Sequence, residues 1–236
     1  MARRGLHARR AVAEEPLRRP PLIRLAVSVE GQTEEEFVKR LLRDHLCAAD
    51  VDVTPVQVGS ARNRWKGGNV SEAVLVDDMG RLSHRFDAVT SLVDFYGFRG
   101  KGSRTVDELV SDLNDELCTR LGPRARPDRV IPYVQLHEFE GLLFSRPEAF
   151  QSVPDAPEAS VAQLRAVRSR FASPEDINDG RETAPSKRIL SALPRYRKVV
   201  HGPRVAGRIG LAAIRSECPR FDAWLTRLET LGARPS

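Results

Sequence analysis

The sequence lacks any long hydrophobic run. Of its 236 residues, 41% are hydrophobic and 30% are charged, which are ordinary proportions for a globular protein in water. No apolar stretch approaches the roughly 20 residues needed to cross a bilayer, and the N-terminus has no apolar segment of the secretory kind. We therefore expect neither a membrane protein nor a secreted one. The length suits one domain, with or without a small appendage.

Cysteine is also scarce. Cys47, Cys118 and Cys218 lie far apart and form no Cys-x-x-Cys pair. This spacing argues against a disulfide framework and against a zinc site. We expect a cytoplasmic protein, with the three cysteines as small core residues.

The formal net charge of +6 is concentrated at the N-terminus. Seven arginines and two acids among the first 24 residues account for nearly all of it. The tail over residues 1–21 is rich in Arg, Ala and Pro, which predicts disorder. It either adds non-specific affinity for nucleic acid or has no role, and the absence of aromatic or apolar periodicity favours the second.

After the tail, strand and helix patterns alternate, which predicts an α/β fold with a mainly parallel sheet flanked by helices. Pro55 in the second strand indicates a position near an edge. From about residue 145 only helical patterns follow, so we predict an α/β core over 22–145 and a helical C-terminal region over 146–236. The predicted strands are 22–29, 51–58, 86–97 (ending at Asp94) and 129–136, and the predicted helices of the core are 33–46, 70–82 and 105–121.

Acidic residues stand where these predicted strands end. Glu30 follows the first strand, Asp94 ends the third, and Glu138 and Glu140 follow the fourth. Open parallel sheets bind ligands beyond the carboxyl ends of their strands. Carboxylate oxygens are the preferred ligands of hard cations such as Mg²⁺, and phosphoryl transfer uses such ions. The pattern predicts a metal-dependent site, to which Glu34, four residues after Glu30, can contribute.

Each acid also has a structural interpretation. Thr33 with Glu36 forms a capping-box pattern, and acids at a helix start complement the helix dipole. Asp94 can cap a turn. Glu30 lies directly after an apolar strand and before Gly31, where helix solvation does not explain it. It is therefore the strongest candidate.

Two basic loops are candidates for binding nucleic acid. In one, Arg62, Arg64 and Lys66 flank Trp65; in the other, Arg99, Lys101 and Arg104 follow Asp94. Cations with an interleaved aromatic suit a phosphate backbone and a stacked base, although such loops are equally common as ordinary surface.

His137 stands alone, as a proton donor or a structural histidine. Near a predicted helix start, Glu182, Lys187 and Arg188 either reach a phosphate or form an interdomain salt bridge.

Several motifs in order resemble one known family. "VEGQTEEEFVKRLL", "VDFYGF", "PYVQLHEFEGLLF" and "SPEDINDGRETAPSKRIL" are similar to the bacterial family catalogued as domain of unknown function 4276, over roughly residues 22–231. The resemblance implies a Toprim-like fold, similar to the nuclease domains of OLD (overcoming lysogenisation defect) proteins. It also implies an AAA-type ATPase partner and a link to antiphage defence.

The resemblance assigns roles to some of these acids. Glu30 would be a metal ligand or general acid/base with Glu34 beside it, and Asp94 would be the first acid of an Asp-x-Asp pair. Tyr96 replaces the second acid, so Glu138 or Glu140 would have to supply the missing oxygen. Because alternate residues of a helix cannot point the same way, we leave the choice between them open.

Two hypotheses follow from the sequence. The first is a Mg²⁺- or Mn²⁺-dependent Toprim-type nuclease acting on DNA or RNA, with Glu30, Asp94, Glu138 and Glu140 as catalytic residues and, with Glu34, as metal ligands. The second is a non-catalytic subunit with a degenerate site that senses nucleic acid or docks on an ATPase. The density of acids favours the first, and Tyr96 favours the second.

Overall fold

The computed structural model describes residues 22–59, 70–178, 180 and 182–233. Its centre is a parallel sheet in the order β2-β1-β3-β4, in which β5 also pairs with β3. The predicted parallel sheet flanked by helices is confirmed, and so is the edge position of the strand that contains Pro55. The strands are β1 (Ile23–Val29), β2 (Val51–Gln57), β3 (Ala88–Asp94), β4 (Val130–Ile131) and β5 (Val134–Gln135).

The central strands are apolar because the sheet is covered on both faces. Every residue of β3 is buried, and so are the last five of β1, which is typical of parallel strands between two helical layers. The single strand predicted over 129–136 is divided into β4 and β5. Pro132 lies between them and has no N–H to donate to a neighbouring strand.

The helices of the core lie on both sides of the sheet. The predicted helix over 33–46 is present as α1 and α2, joined by a π-helical turn at Val38–Leu42. The α-helices are α1 (Gln32–Phe37), α2 (Arg43–Cys47), α3 (Glu72–Leu82), α4 (Val106–Leu121), α5 (Glu158–Arg168), α6 (Pro185–Ala192), α7 (Lys198–Ile209), α8 (Leu211–Glu217) and α9 (Pro219–Glu229), and short 3₁₀ segments lie at Gly122–Arg124, Phe139–Ser145, Pro147–Ser152, Pro174–Asp176 and Thr230–Gly232.

The predicted helical C-terminal region is confirmed, and it packs on the core. Phe37 of α1 lies edge-on to Phe139 and to Phe221 of α9, with ring centroids 5.1 and 5.9 Å apart. The Trp224 indole N–H donates to Thr90 Oγ1 of β3 at 2.8 Å. These C-terminal helices therefore share one apolar core with the face of the sheet that α1 covers.

Two of the three cysteines are not core residues. Cys218 is buried, as predicted, whereas Cys47 and Cys118 are exposed, because they occupy outward-facing positions at the ends of α2 and α4. Within the described ranges, no helix combines the length and apolar content that a membrane span requires.

Candidate active site at the carboxyl end of the sheet

The site lies between β1 and β3, where the strand order reverses. The chain leaves β1 towards β2 on one side and leaves β3 towards β4 on the other, and such a switch point opens a crevice at the carboxyl ends of the strands. Glu30 and Asp94 meet there: the Asp94 N–H donates to Glu30 Oε2 at 3.2 Å. A Cβ atom at Gly97 would lie 3.6 Å from Glu30 Oε1, so the loop after β3 passes beside the same carboxylate.

Glu34 joins these acids from the first turn of α1. It is buried, and its Oε2 accepts a hydrogen bond from the Gly31 N–H at 3.1 Å. The predicted Thr33–Glu36 capping box is wrong, because the helix begins at Gln32 and places Glu34 at the capping position.

The two following glutamates have the surface role that the acidic helix start predicts. Glu35 pairs with Lys39, and Glu36 pairs with Arg40 on the outer side of the helix. The acidic run therefore separates into one buried carboxyl group that faces the site and two surface ion pairs.

Glu138 and Glu140 both face the cluster. Glu138 has extended backbone and precedes the 3₁₀ segment that contains Glu140, so the restriction on alternate helical residues does not apply. The Ser186 N–H donates to Glu138 Oε2 at 2.9 Å. The Phe139 N–H donates to Asp94 Oδ1 at 2.8 Å and ties this segment to β3.

Lys198 supplies a cation that the sequence analysis missed. It is the first residue of α7, and its Nζ lies 2.8 Å from Glu140 Oε2. Burial lowers the pKa of Lys198, but the negative charges of Glu140 and Asp94 outweigh burial and hold that pKa above its ordinary value. A group of acids at strand ends could have prompted a search for a counter-ion, but nothing in "RYRKVV" singles out this lysine.

Burial and mutual repulsion disfavour the charged form of these acids. Burial, with the charges of Glu140 and Glu30, raises the pKa of Glu34 to about 7, although Lys198 opposes the rise. Burial and the neighbouring acids hold the pKa of Asp94 well above its ordinary range, and burial raises that of Glu140. Perturbed carboxyl groups that meet in a cleft are typical of functional sites.

Three buried polar atoms of the cluster have no hydrogen-bond partner among the described residues: the Tyr196 hydroxyl and both carboxylate oxygens of Glu140. Glu140 Oε2 is the oxygen paired with Lys198, which leaves the hydroxyl and Oε1. Tyr196 is only 5% exposed, and burial together with the charges of Glu140 and Glu34 raises the pKa of its phenol. Because buried polar atoms are normally paired, these two mark a place where a water, an ion or a substrate oxygen would be stabilised.

The donor chemistry of the cluster fits a hard divalent cation. It offers carboxylate oxygens, which Mg²⁺ and Mn²⁺ prefer, and Glu140 Oε1 lacks a partner in the described structure. No three His, Cys, Asp or Glu side chains of the described residues lie at the spacing of metal ligands. Instead, oxygens of Glu34, Asp94 and Glu138 accept backbone N–H groups. Metal binding would therefore require some of these side chains to rotate.

The predicted basic residues are only partly described. Arg62, Arg64, Trp65 and Lys66 lie outside the described residues. Arg99 is exposed, and its backbone N–H bonds to Val70. Lys101 Nζ donates to the carbonyls of Phe95 and Tyr96 at 2.6 Å each, so it closes the turn after β3. Arg104 is paired with Glu72 and Asp112.

The remaining candidates lie around the rim of the site. Tyr96, at the position expected for a second acid, is 36% exposed. His137 is bonded to Asn178 at 3.0 Å, and burial lowers its pKa. Lys187 is exposed on α6, whereas Arg188 donates to the Thr183 carbonyl at 2.6 Å.

A parallel α/β sheet with a buried acid cluster at its switch point defines the structural class, and the family follows from sequence. The chain belongs to the family described as domain of unknown function (DUF4276), whose model matches residues 29–229. The family expected from the motifs is therefore confirmed. No curated protein matches the chain.

Two solved structures resemble it along most of its length. Both are of the C-terminal region of the Xanthomonas campestris pv. campestris OLD protein. The one phased with mercury is 15% identical, with a TM-score of 0.43, and the match covers 89% of this chain and 96% of that one. The one phased with iodine is 13% identical, with a TM-score of 0.44, and the match covers 89% and 95%.

Proposed function

We propose that this chain is a Mg²⁺- or Mn²⁺-dependent nuclease of Toprim type that hydrolyses phosphodiester bonds in DNA or RNA. The observation that carries the proposal is the meeting of Glu30, Glu34, Asp94 and Glu140 around Lys198 at the switch point of the sheet. Its family resemblance adds a partner of the AAA-ATPase type and a role as effector in antiphage defence.

The carboxylates would hold the cation. Glu30 and Asp94 come from neighbouring strand ends, and Glu140 Oε1 lacks a bond within the described structure. A divalent cation held there would supply Lewis acidity for phosphodiester hydrolysis. Glu138, whose Oε2 accepts the Ser186 N–H, would complete the set.

Glu34 and Lys198 are the two remaining charged groups of the cluster, and the surroundings of each favour a particular role. A carboxyl group with a pKa of about 7 can accept or donate a proton at neutral pH, so we assign Glu34 as a general acid/base. A phosphodiester anion entering an acidic site is repelled. Lys198, whose side chain is 42% exposed, would offset that repulsion and contact a phosphate oxygen.

A cleavage assay tests the nuclease proposal. Purified protein is incubated with labelled single- and double-stranded DNA and RNA in Mn²⁺, alone and with its ATPase partner. We expect cleavage by the wild type, loss of cleavage on Glu30→Gln, and normal cleavage by the control Glu116→Gln, which changes an exposed acid of α4, away from the site and the groove. Cleavage that persists in Glu30→Gln, or that is absent with every substrate and with the partner, would contradict the proposal.

A second function is a non-catalytic subunit that binds nucleic acid or docks on the ATPase. It is favoured by the Lys198–Glu140 ion pair, which places a cation inside the acid cluster, and by Tyr96 at the expected acid position. Under this alternative, Lys198→Met would leave nucleic-acid binding intact, and no variant of the cluster would change any hydrolysis.

A further inference from the structure

The outer face of α7 carries two exposed arginines, Arg204 and Arg208. Neither has an ion-pair or hydrogen-bond partner among the described residues. We propose that the groove between α1 and α7 holds a single strand of nucleic acid, with Arg204 and Arg208 contacting its phosphates. This inference rests on the proposed function and assigns a path for its substrate.

The groove begins at the starts of α1 and α7. Its first part is lined by Gln32, which follows Glu30 by two residues, and by Val199, which follows Lys198. Its second part extends to Arg208, and the two parts share Arg204 together with Arg40 and Pro203. The groove therefore runs from the starts of α1 and α7 to Arg208, near the far end of α7.

The charge along the groove is positive. The acids on its α1 wall, Glu35 and Glu36, are neutralised by Lys39 and Arg40, whereas Arg204 and Arg208 have no such partner in the described structure. The pKa of His201, on the same helix, also reflects this positive charge. Burial lowers its pKa, and the charges of Arg197 and Arg204 lower it further. An anionic polymer would compensate this charge.

The spacing suits one strand. At about 1.5 Å of rise per residue, Arg204 lies about 6 Å from Arg208 along the helix axis and about 9 Å from Lys198. Two cations one turn apart on the same face of a helix can contact one phosphate backbone, as the grooves of single-strand-binding proteins do. A duplex would need contacts to two backbones.

Binding measured without metal tests the inference apart from catalysis. A labelled oligothymidylate is titrated in EDTA and followed by fluorescence anisotropy at several salt concentrations. For Arg204→Glu/Arg208→Glu we expect at least tenfold weaker binding at low salt. The slope of log K against log salt should fall by about 1.4, because each lost phosphate contact on a single strand contributes about 0.7.

The matched control is Arg85→Glu/Arg124→Glu. Both arginines are exposed and lie towards the amino ends of the strands, Arg85 in the loop before β3 and Arg124 at the end of a 3₁₀ segment before β4. Their replacement changes the net charge equally. The control should keep the wild-type slope. Arg204→Gln/Arg208→Gln, which adds no negative charge, should show the same loss of slope with a smaller loss of affinity.

Three results would overturn the inference: equal losses in both double glutamate variants, no binding by the wild type at low salt, or tighter binding of a duplex with the same dependence on Arg204 and Arg208. A wild type that binds through these arginines but cleaves nothing in Mn²⁺ would contradict the nuclease proposal and leave the groove assignment standing.

Discussion

Replacing Lys198 by methionine should destabilise the protein in a pH-dependent way. The change leaves the fully buried Glu140 carboxylate without the ammonium group 2.8 Å away. Removing one partner of a fully buried ion pair costs about 3–5 kcal/mol. Because Lys198 is 42% exposed, solvent screens the pair, and we expect about 2 kcal/mol at pH 8. For a chain of this size that lowers Tm by about 4–8 °C.

The sign of the pH dependence follows from the raised pKa of Glu140. An acid whose pKa is higher in the folded than in the unfolded state costs stability as pH rises from its ordinary pKa through the folded one. Loss of Lys198 raises the folded pKa of Glu140 further, because Lys198 opposes the rise in the wild type. The difference between wild type and Lys198→Met should therefore be largest at pH 8 and shrink as the pH falls and Glu140 takes up its proton.

Thermal and urea unfolding at pH 5, 6.5 and 8 measures this effect. The double variant Lys198→Met/Glu140→Gln removes the charge that was left unpaired and should recover most of the lost stability. A penalty that is the same at all three pH values would refute the electrostatic reasoning. So would a double variant whose loss equals the sum of the two single losses.

The remaining predictions concern single groups around the site. With a pKa of about 7 against an ordinary 4.5, Glu34 should make wild-type stability fall between those pH values. Glu34→Gln should then be more stable by on the order of 3 kcal/mol at pH 8, and parallel pH profiles from urea unfolding would contradict this. Tyr196→Phe removes a buried hydroxyl that lacks a partner in the described structure, and should raise the unfolding free energy by about 1 kcal/mol; a loss would show that the hydroxyl is bonded. A Cβ at Gly202 would lie 3.1 Å from the Tyr196 hydroxyl, so Gly202→Ala should cost about 1–3 kcal/mol, and less when combined with Tyr196→Phe. Glu175 accepts N–H groups of Arg220 and Phe221 at the start of α9; Glu175→Ala should lower Tm by a few degrees without changing metal binding by calorimetry.

The sequence predicted the parts of this site that depend on local pattern. An apolar run followed by Glu30 and another ending at Asp94 identify strand ends, and parallel pairing brings such ends to one edge of a sheet. Pro132 could also have predicted the division between β4 and β5, because its missing N–H interrupts strand pairing wherever it occurs.

The missed features depend on tertiary contacts. Lys198 lies far along the chain from Glu30, at an ordinary helix start, and only the packing of α7 against α1 brings it to the acids. The joint orientation of Glu138 and Glu140 depends on a 3₁₀ segment that begins between them. The capping role of Glu34 depends on a helix that starts one residue earlier than its pattern indicates.

Isothermal titration calorimetry with Mn²⁺ and with Mg²⁺ tests the central claim most directly, because it asks whether the acid cluster binds a divalent cation. We predict saturable binding by the wild type and by Glu35→Gln, with binding abolished in Glu30→Gln and in Asp94→Asn while both variants remain folded. Absence of binding heat in the folded wild type, or equal heats in wild type and Glu30→Gln, would contradict the assignment of these carboxylates as a metal-dependent active site.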